Sequence, residues 1–154
     1  MTYQIIYSSD ASIPMQSDDL EDLLEQAREH NAQRGITGAL VYVDGIFLQI
    51  LEGEAATITA LMARISRDLR HEAVTVLQEG EVPSARFSDW TMAYIGATPE
   101  QVADWLCLPG TTPVPDLFDG MRRDASRLEG VAQSVLSVLS ADRSDPASGP
   151  QGRA

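Results

Sequence analysis

The sequence has little of what builds disulfides, metal sites or nucleic-acid interfaces. Cys107 is the single cysteine, and Cys and His residues are not clustered at metal-ligand spacing. No disulfide or metal site is therefore predicted, and a reducing compartment is expected. Basic residues are few, 11 Lys and Arg against 23 Asp and Glu, for a formal net charge of -12. Because nucleic-acid binding needs basic side chains that neutralise phosphates, direct nucleic-acid binding is not expected.

Long apolar runs and glycine-rich phosphate loops are also missing. No apolar run approaches the roughly 18 residues of a membrane span, and the first ten residues lack a basic segment followed by an apolar stretch. These absences predict a soluble, cytoplasmic protein without membrane association. No Gly-x-Gly-x-x-Gly loop occurs, which argues against a flavin-dependent redox enzyme.

The pattern that is present centres on a hairpin. Asp44-Gly45 separates two runs rich in β-forming residues, and this dipeptide suits a two-residue type I′ turn. Around it, alternation and helical spacing predict the order β-α-β-β-α-β-β. The predicted strands are at 3–8, 37–43, 46–52, 73–78 and 90–95. The first predicted helix is capped by Ser17 or Asp18 and stops at Gly35, and the second covers 54–69. This order predicts an α+β, ferredoxin-like fold with a five-stranded mixed sheet and two helices on one face.

The C-terminal part has a different composition. A short helix is predicted over 99–106, a Pro-rich connector over 109–115, and a helix over 121–140 whose apolar stripe runs from Leu128 to Leu139. These helices are expected to cover the second sheet face or to bind a partner. We therefore predict a main ferredoxin-like domain at 1–97, a helical extension at 98–140 and a disordered tail at 141–154.

Three polar residues interrupt the predicted apolar layer. Alternation places Tyr7 with Ile5 on the first strand and Gln49 with Phe47 on the third, while helical spacing places Asn31 at the inner end of the first helix. Gln49 needs polar partners, because an unpaired buried amide group costs about 1–3 kcal/mol. Each residue also has a structural interpretation, as a core tyrosine, a satisfied glutamine and a helix C-terminal asparagine. The patterns alone predict only a ligand-binding ferredoxin-like domain.

Five segments, in order, resemble the BLUF family, the sensors of blue light using FAD. The resemblance spans about residues 2–97. It is carried by Ile-Ile-Tyr-Ser-Ser at 5–9, Asn-Ala-Gln-Arg-Gly-Ile-Thr-Gly-Ala-Leu-Val-Tyr at 31–42, Asp-Gly-Ile-Phe-Leu-Gln-Ile-Leu-Glu-Gly at 44–53, Arg-Asp-Leu-Arg-His at 67–71 and Arg-Phe-Ser-Asp-Trp-Thr-Met at 86–92. The resemblance implies that the isoalloxazine ring of FAD lies between the two helices.

The resemblance also implies roles for single residues. Tyr7 would donate an electron and a proton to the excited flavin, and Gln49 would link Tyr7 to the flavin N5 and O4 edge and change its hydrogen bond after light. Asn31 would bond the O4 and N3 edge, and Arg70 is the candidate cationic partner of O2. The remaining candidates are His30, Asp68 and His71 near the flavin, and Trp90 and Met92 as competitors for the place beside Gln49. Alternation on the last strand predicts Trp90, Met92 and Tyr94 on one face.

A photoreceptor rather than an enzyme is therefore implied. With no output domain in the sequence, signalling is expected through an unknown downstream protein or through self-association as a homo-oligomer, with the stripe from Leu128 to Leu139 as a candidate surface. Packing of that stripe on the sheet is the other interpretation. Two further functions stay open, a non-photoactive ligand-binding module and a small flavin redox enzyme.

Overall fold

A computed structural model describes residues 2–12, 15–69 and 71–144 of the protein. Within these residues the chain forms five strands and five helices. The strands are β1 (Thr2–Ala11), β2 (Thr37–Val43), β3 (Ile46–Gly53), β4 (His71–Val82) and β5 (Ala93–Gly96). The helices are α1 (Ser17–Arg34), α2 (Ala55–Ile65), α3 (Pro99–Trp105), α4 (Val114–Arg123) and α5 (Ala125–Ser144).

The strands form one mixed sheet in the order β4-β1-β3-β2-β5. β1 pairs antiparallel with both β3 and β4, β2 and β3 form the hairpin, and β2 pairs parallel with β5. The predicted α+β, ferredoxin-like fold with a five-stranded sheet is confirmed. The hairpin turn is also as predicted, since Asp44 and Gly45 both have positive φ, 47° and 78°.

Each face of the sheet carries its own apolar cluster. On the α1/α2 face, Ile5 and Tyr7 of β1 and Phe47 and Leu51 of β3 pack with Leu23 and other residues of the two helices. On the opposite, C-terminal face, Ile6, Leu48 and Ile50 pack with α3, α4 and α5. The alternation of side chains along a strand explains this division, because successive residues point to opposite faces. Two covered faces also explain why β2 and β3 are apolar on both sides.

β4 is longer than predicted. It runs from His71 to Val82, whereas the predicted strand covers only residues 73–78. Its pairing with β1 is irregular between Ile6 and Tyr7 and between Ser8 and Asp10, and Ala73 has a φ of 50°. Such bulges interrupt the regular alternation of side chains along a strand. The alternating pattern in the sequence therefore predicts too late a start for β4.

β5 is shorter than predicted, and the prediction that Trp90, Met92 and Tyr94 share a face is wrong. The strand starts at Ala93, so Trp90 and Met92 lie in irregular backbone where alternation does not apply. Trp90 is buried in the cluster of the C-terminal face, whereas Met92 is buried in the cluster of the α1/α2 face.

The C-terminal helices cover the second face of the sheet. α3 is close to its predicted span. α4 was not predicted as a separate helix, and it runs from the end of the predicted connector to the first residues of the predicted helix over 121–140. α5 begins later and ends later than predicted, at Ser144. Residues 145–154 of the predicted tail lie outside the described residues. The stripe from Leu128 to Leu139 is buried against the sheet, so it is core and not an open partner surface. In the part of the chain described here, no helix is long and apolar enough to cross a membrane.

Truncation of this stripe is expected to weaken the fold. Leu128 is fully buried, so Leu128→Ala should lower the free energy of unfolding by about 2–5 kcal/mol. Leu69, which is 89% exposed, gives the matched control, and Leu69→Ala should change it by less than about 0.5 kcal/mol. Urea unfolding followed by circular dichroism measures both. Equal effects of the two truncations would show that α5 is not part of the core.

Candidate functional site

A cavity of about 270 Å³ opens on the α1/α2 face of the sheet. Both α1 and α2 and the four strands β1 to β4 contribute to its wall. The lining residues are Tyr7, Leu23, Leu24, Gln26, Ala27, His30, Asn31, Leu40, Gln49, Leu61, Arg64, Ile65, Arg67, Asp68, His71 and Met92. Seven of the residues predicted for the site therefore lie around one cavity. Trp90 does not line it, and Arg70 lies outside the described residues.

Tyr7 and Gln49 form the centre of the polar wall. They are directly paired across β1 and β3, and the Tyr7 hydroxyl donates a hydrogen bond to Gln49 Oε1. Gln49 Nε2 in turn donates to Met92 Sδ at 3.3 Å. Among the described residues, these are the hydrogen bonds of the Gln49 side chain, and a thioether is a weak acceptor. The amide thus keeps a second N–H and can exchange a weak partner for a stronger one.

The surroundings keep Tyr7 protonated. Its side chain is fully buried, and this burial raises the pKa of Tyr7, with the charge of Asp68 acting in the same direction. A neutral phenol can donate its proton to Gln49 in the resting state. Of the two candidates for the place next to Gln49, Trp90 and Met92, it is Met92 that lies there, and its side chain is fully buried.

Asn31 sits at the inner end of α1, as the helical spacing predicted. Its side chain is buried, and Nδ2 donates to the backbone oxygen of Thr91 at 2.7 Å. The backbone oxygen of Asn31 accepts from Ile36 N at 3.0 Å, and Gly35 closes the helix with a φ of 67°. Asn31 therefore serves the helix end through its backbone while its amide lines the cavity.

His30 also lines the cavity. In the described part of the chain, its buried Nδ1 has no hydrogen-bond partner. Burial lowers the pKa of His30, and the nearby Arg34 and Arg64 add to this effect, while a hydrogen bond with Asn31 opposes it. The ring is thus favoured in its neutral form, which can donate or accept a hydrogen bond to a ligand.

His30 should make stability depend on mildly acidic pH. As the pH falls below 6.5, the ordinary pKa of histidine, the unfolded chain binds a proton that folded His30 resists, so the free energy of unfolding falls. The upper limit is about 1.4 kcal/mol per pH unit, and partial exposure of the ring reduces it. His30→Gln should flatten the decline between about pH 7 and about pH 5, measured by urea unfolding. An unchanged pH dependence in the variant would rule out this contribution.

His71 and Asp68 close the site beside β1. His71 Nδ1 lies 2.8 Å from Ser9 Oγ, and its ring centroid is 5.0 Å from that of Phe47 and 6.4 Å from that of Tyr7. The bulges of β4 bring His71 to this position, opposite Ala11. Both predicted residues are therefore near Tyr7.

The comparison with known families identifies the group to which this arrangement belongs. The model of the BLUF family, described as sensors of blue-light using FAD, matches residues 2–93. The chain belongs to the BLUF family. The group is one of blue-light photoreceptors, and its described cofactor is a flavin.

Relatives and solved structures agree with this assignment. Photoactivated adenylate cyclase subunit beta of Euglena gracilis is 34% identical over 143 residues, which are 89% of this chain and 15% of that protein. The chain thus matches only a small part of this relative. The photo-activated state of BlsA aligns with a TM-score of 0.71 at 26% identity, covering 88% of this chain and 95% of BlsA. The dark state of the BLUF protein BlrB has the same fold, with a TM-score of 0.70 at 23% identity, and the alignment covers 90% of this chain and 97% of BlrB.

Two charged residues of this BLUF chain escaped the sequence analysis. Arg28 Nε donates to the backbone oxygen of Met92 at 3.0 Å, and Glu52 is completely buried on β3. Arg28 lies one turn before Asn31 on the same helix, and Glu52 is the charged residue of a largely apolar strand. These two sequence positions are the signals from which the roles of Arg28 and Glu52 could have been suspected.

Proposed function

We propose that this BLUF chain binds FAD non-covalently in the cavity and senses blue light through Tyr7 and Gln49. The observation that carries the proposal is the hydrogen-bond chain from Tyr7 through Gln49 to Met92 at the cavity wall. It links a phenol, which can be oxidised and deprotonated, to an amide whose second partner is weak. The family match supports the flavin, and the cavity supports its place.

The donor set fits a flavin. Apolar residues of both helices, such as Leu24 and Ile65, suit the faces of a flat ring system, while Asn31 and the free N–H of Gln49 suit its polar edge. His30 Nδ1, which has no partner within the described residues, supplies one more polar contact. Arg64 and Arg67 at the wall suit the phosphates of FAD, and Asp68 and His71 also line the cavity. Arg70 is included in the proposed binding residues on the family resemblance alone.

The chain's own residues would act in a fixed order. Bound FAD would supply the absorption of blue light and an excited state that accepts an electron. Tyr7 gives up an electron and its hydroxyl proton, and takes both back. Gln49 lies between Tyr7 and the ligand edge, so its amide is left rotated or tautomerised, with a different set of partners. Met92 then loses its place as acceptor, and the chain reverts in the dark. No substrate is consumed, so the protein acts as a sensor and not as an enzyme.

The absorption spectrum of the purified protein tests the proposal. Protein with bound FAD should be yellow, and blue light should shift its flavin bands reversibly to longer wavelength. Cofactor extraction and chromatography identify the flavin. Protein that stays colourless after incubation with FAD would refute the binding, and a yellow protein without a light-induced shift would refute the photoreceptor function while leaving flavin binding intact.

The output is proposed to be a change in binding to a separate signalling protein or in self-association. Light acts on Gln49 and Met92, and Met92 is continuous with β5 and the C-terminal helices, so a local hydrogen-bond change can bias their packing. Light-scattering mass measurements in light and darkness test self-association. A mass that is independent of both light and concentration would exclude self-association, and binding to a separate signalling protein would be the remaining output.

A further inference from the structure

Residues 86–92, here called the 86–92 segment, connect the two faces of the sheet. Phe87 and Trp90 are buried in the cluster of the C-terminal face, with ring centroids 6.4 Å apart. Met92, at the other end, is buried on the α1/α2 face beside Gln49. The side chain of Arg86 pairs with Glu129 of α5. The segment therefore touches the light-sensing amide at one end and α5 at the other.

Glu52 anchors the beginning of this segment. Its Oε2 accepts hydrogen bonds from the backbone N–H of Arg86 at 2.8 Å and from Gln4 Nε2 at 3.1 Å. Its Oε1 accepts from the backbone N–H of Phe87 at 2.8 Å. The carboxylate is completely buried, and charge-assisted bonds of this kind are stronger than those between neutral groups. The backbone at residues 86 and 87 is thus fixed to β3.

Arg28 and Asn31 anchor the end of the segment from the other side. They bind the backbone oxygens of Met92 and Thr91 at 3.0 Å and 2.7 Å. Regular strand pairing begins only at Ala93, so the position of Met92 Sδ relative to Gln49 depends on these anchors and on one backbone bond, from Gly38 N–H to the oxygen of Trp90 at 3.1 Å. A change at either anchor should therefore alter the contact between Gln49 and Met92.

We infer that Glu52 is a positioning residue of the photoreceptor, which holds the 86–92 segment so that Met92 lies against the Gln49 amide and returns there in the dark. The inference rests on the proposed function of Gln49. A carboxylate is required because both oxygens accept hydrogen bonds from N–H groups. Glutamine has a single acceptor oxygen, and its NH₂ would face an N–H donor.

The test compares Glu52→Gln with Glu54→Gln. Glu54 is exposed and its side chain makes no capping bond, so its replacement gives the same change of charge without the contacts. In the flavin-loaded protein, Glu52→Gln should change the rate of dark recovery by about threefold or more, within the range in which neighbouring residues couple. Glu54→Gln should not. Flavin content and circular dichroism are expected to be preserved in both, and an unchanged recovery rate in folded Glu52→Gln overturns the inference.

A double-mutant cycle with Met92→Ala separates positioning from general support of the fold. If Glu52 acts through Met92, Glu52→Gln should have little further effect on recovery in the Met92→Ala background. The same fold-change in both backgrounds overturns the inference. If Glu52→Gln does not fold, Gln4→Leu, which removes one donor to Glu52, is measured in the same cycle with the same two outcomes. Failure of the unmutated protein to show any red shift refutes the proposed function instead.

Discussion

A Tyr7→Phe variant should bind FAD and stay folded but lose the red-shifted state that blue light produces. The ring that fills the space on β1 is retained, while the hydroxyl that donates to Gln49 Oε1 is removed. Without an oxidisable phenol next to Gln49, no electron and proton are available to start the rearrangement. The loss should be complete within the sensitivity of a light-minus-dark absorption spectrum, while the flavin content per protein is unchanged.

Tyr42→Phe provides the matched control for this change. The Tyr42 hydroxyl is on β2, lies outside the cavity lining and accepts a hydrogen bond from Met15 N at 3.3 Å. Its removal changes the same chemical group without touching Gln49, so the normal red shift should persist. A normal red shift in Tyr7→Phe would remove Tyr7 from the mechanism, and loss of the shift in both variants would point to a general effect on packing.

The parts of the site that were predictable from sequence are those fixed by short-range periodicity. Tyr7 and Gln49 share a face because each strand alternates regularly, and Asn31 reaches the same layer because helical spacing holds to the end of α1. The Asp44-Gly45 turn fixed the pairing of β2 and β3. Residue roles at the flavin came from the family resemblance and not from these patterns.

The parts that were not predictable depend on irregular backbone and on distant partners. Trp90 was expected to share a face with Met92, which is wrong because the chain is not a strand before Ala93. Glu52 accepts hydrogen bonds from the backbone N–H groups of Arg86 and Phe87, which follow it by 34 and 35 positions in the sequence. Arg28 donates to the backbone oxygen of Met92, which follows it by 64 positions. Every residue type except proline offers the same backbone N–H and C=O groups, so such contacts leave almost no mark in the sequence of the partner.

Gln49→Leu should also abolish the red shift while FAD remains bound. Leucine fits the apolar layer between Phe47 and Leu51, but it can neither accept from Tyr7 nor donate to Met92. The light-minus-dark spectrum measures the effect, and a shift of normal size would mean that the amide is not the relay. In the neighbouring strand, Leu40→Met is a suitable control, because it changes the shape of the cavity wall without changing any hydrogen bond.

The stability of these variants distinguishes loss of the relay from damage to the fold. Each single change leaves one buried partner unpaired, the Tyr7 hydroxyl in Gln49→Leu and Gln49 Oε1 in Tyr7→Phe, at a cost of about 1–3 kcal/mol in unfolding free energy. Replacement of both partners removes both polar groups together, which is nearly neutral when the shape is kept. The double variant Tyr7→Phe/Gln49→Leu should therefore unfold at a higher urea concentration than expected from the sum of the single effects, although its red shift is still absent. Additive losses would mean that Tyr7 and Gln49 are not coupled in the resting state.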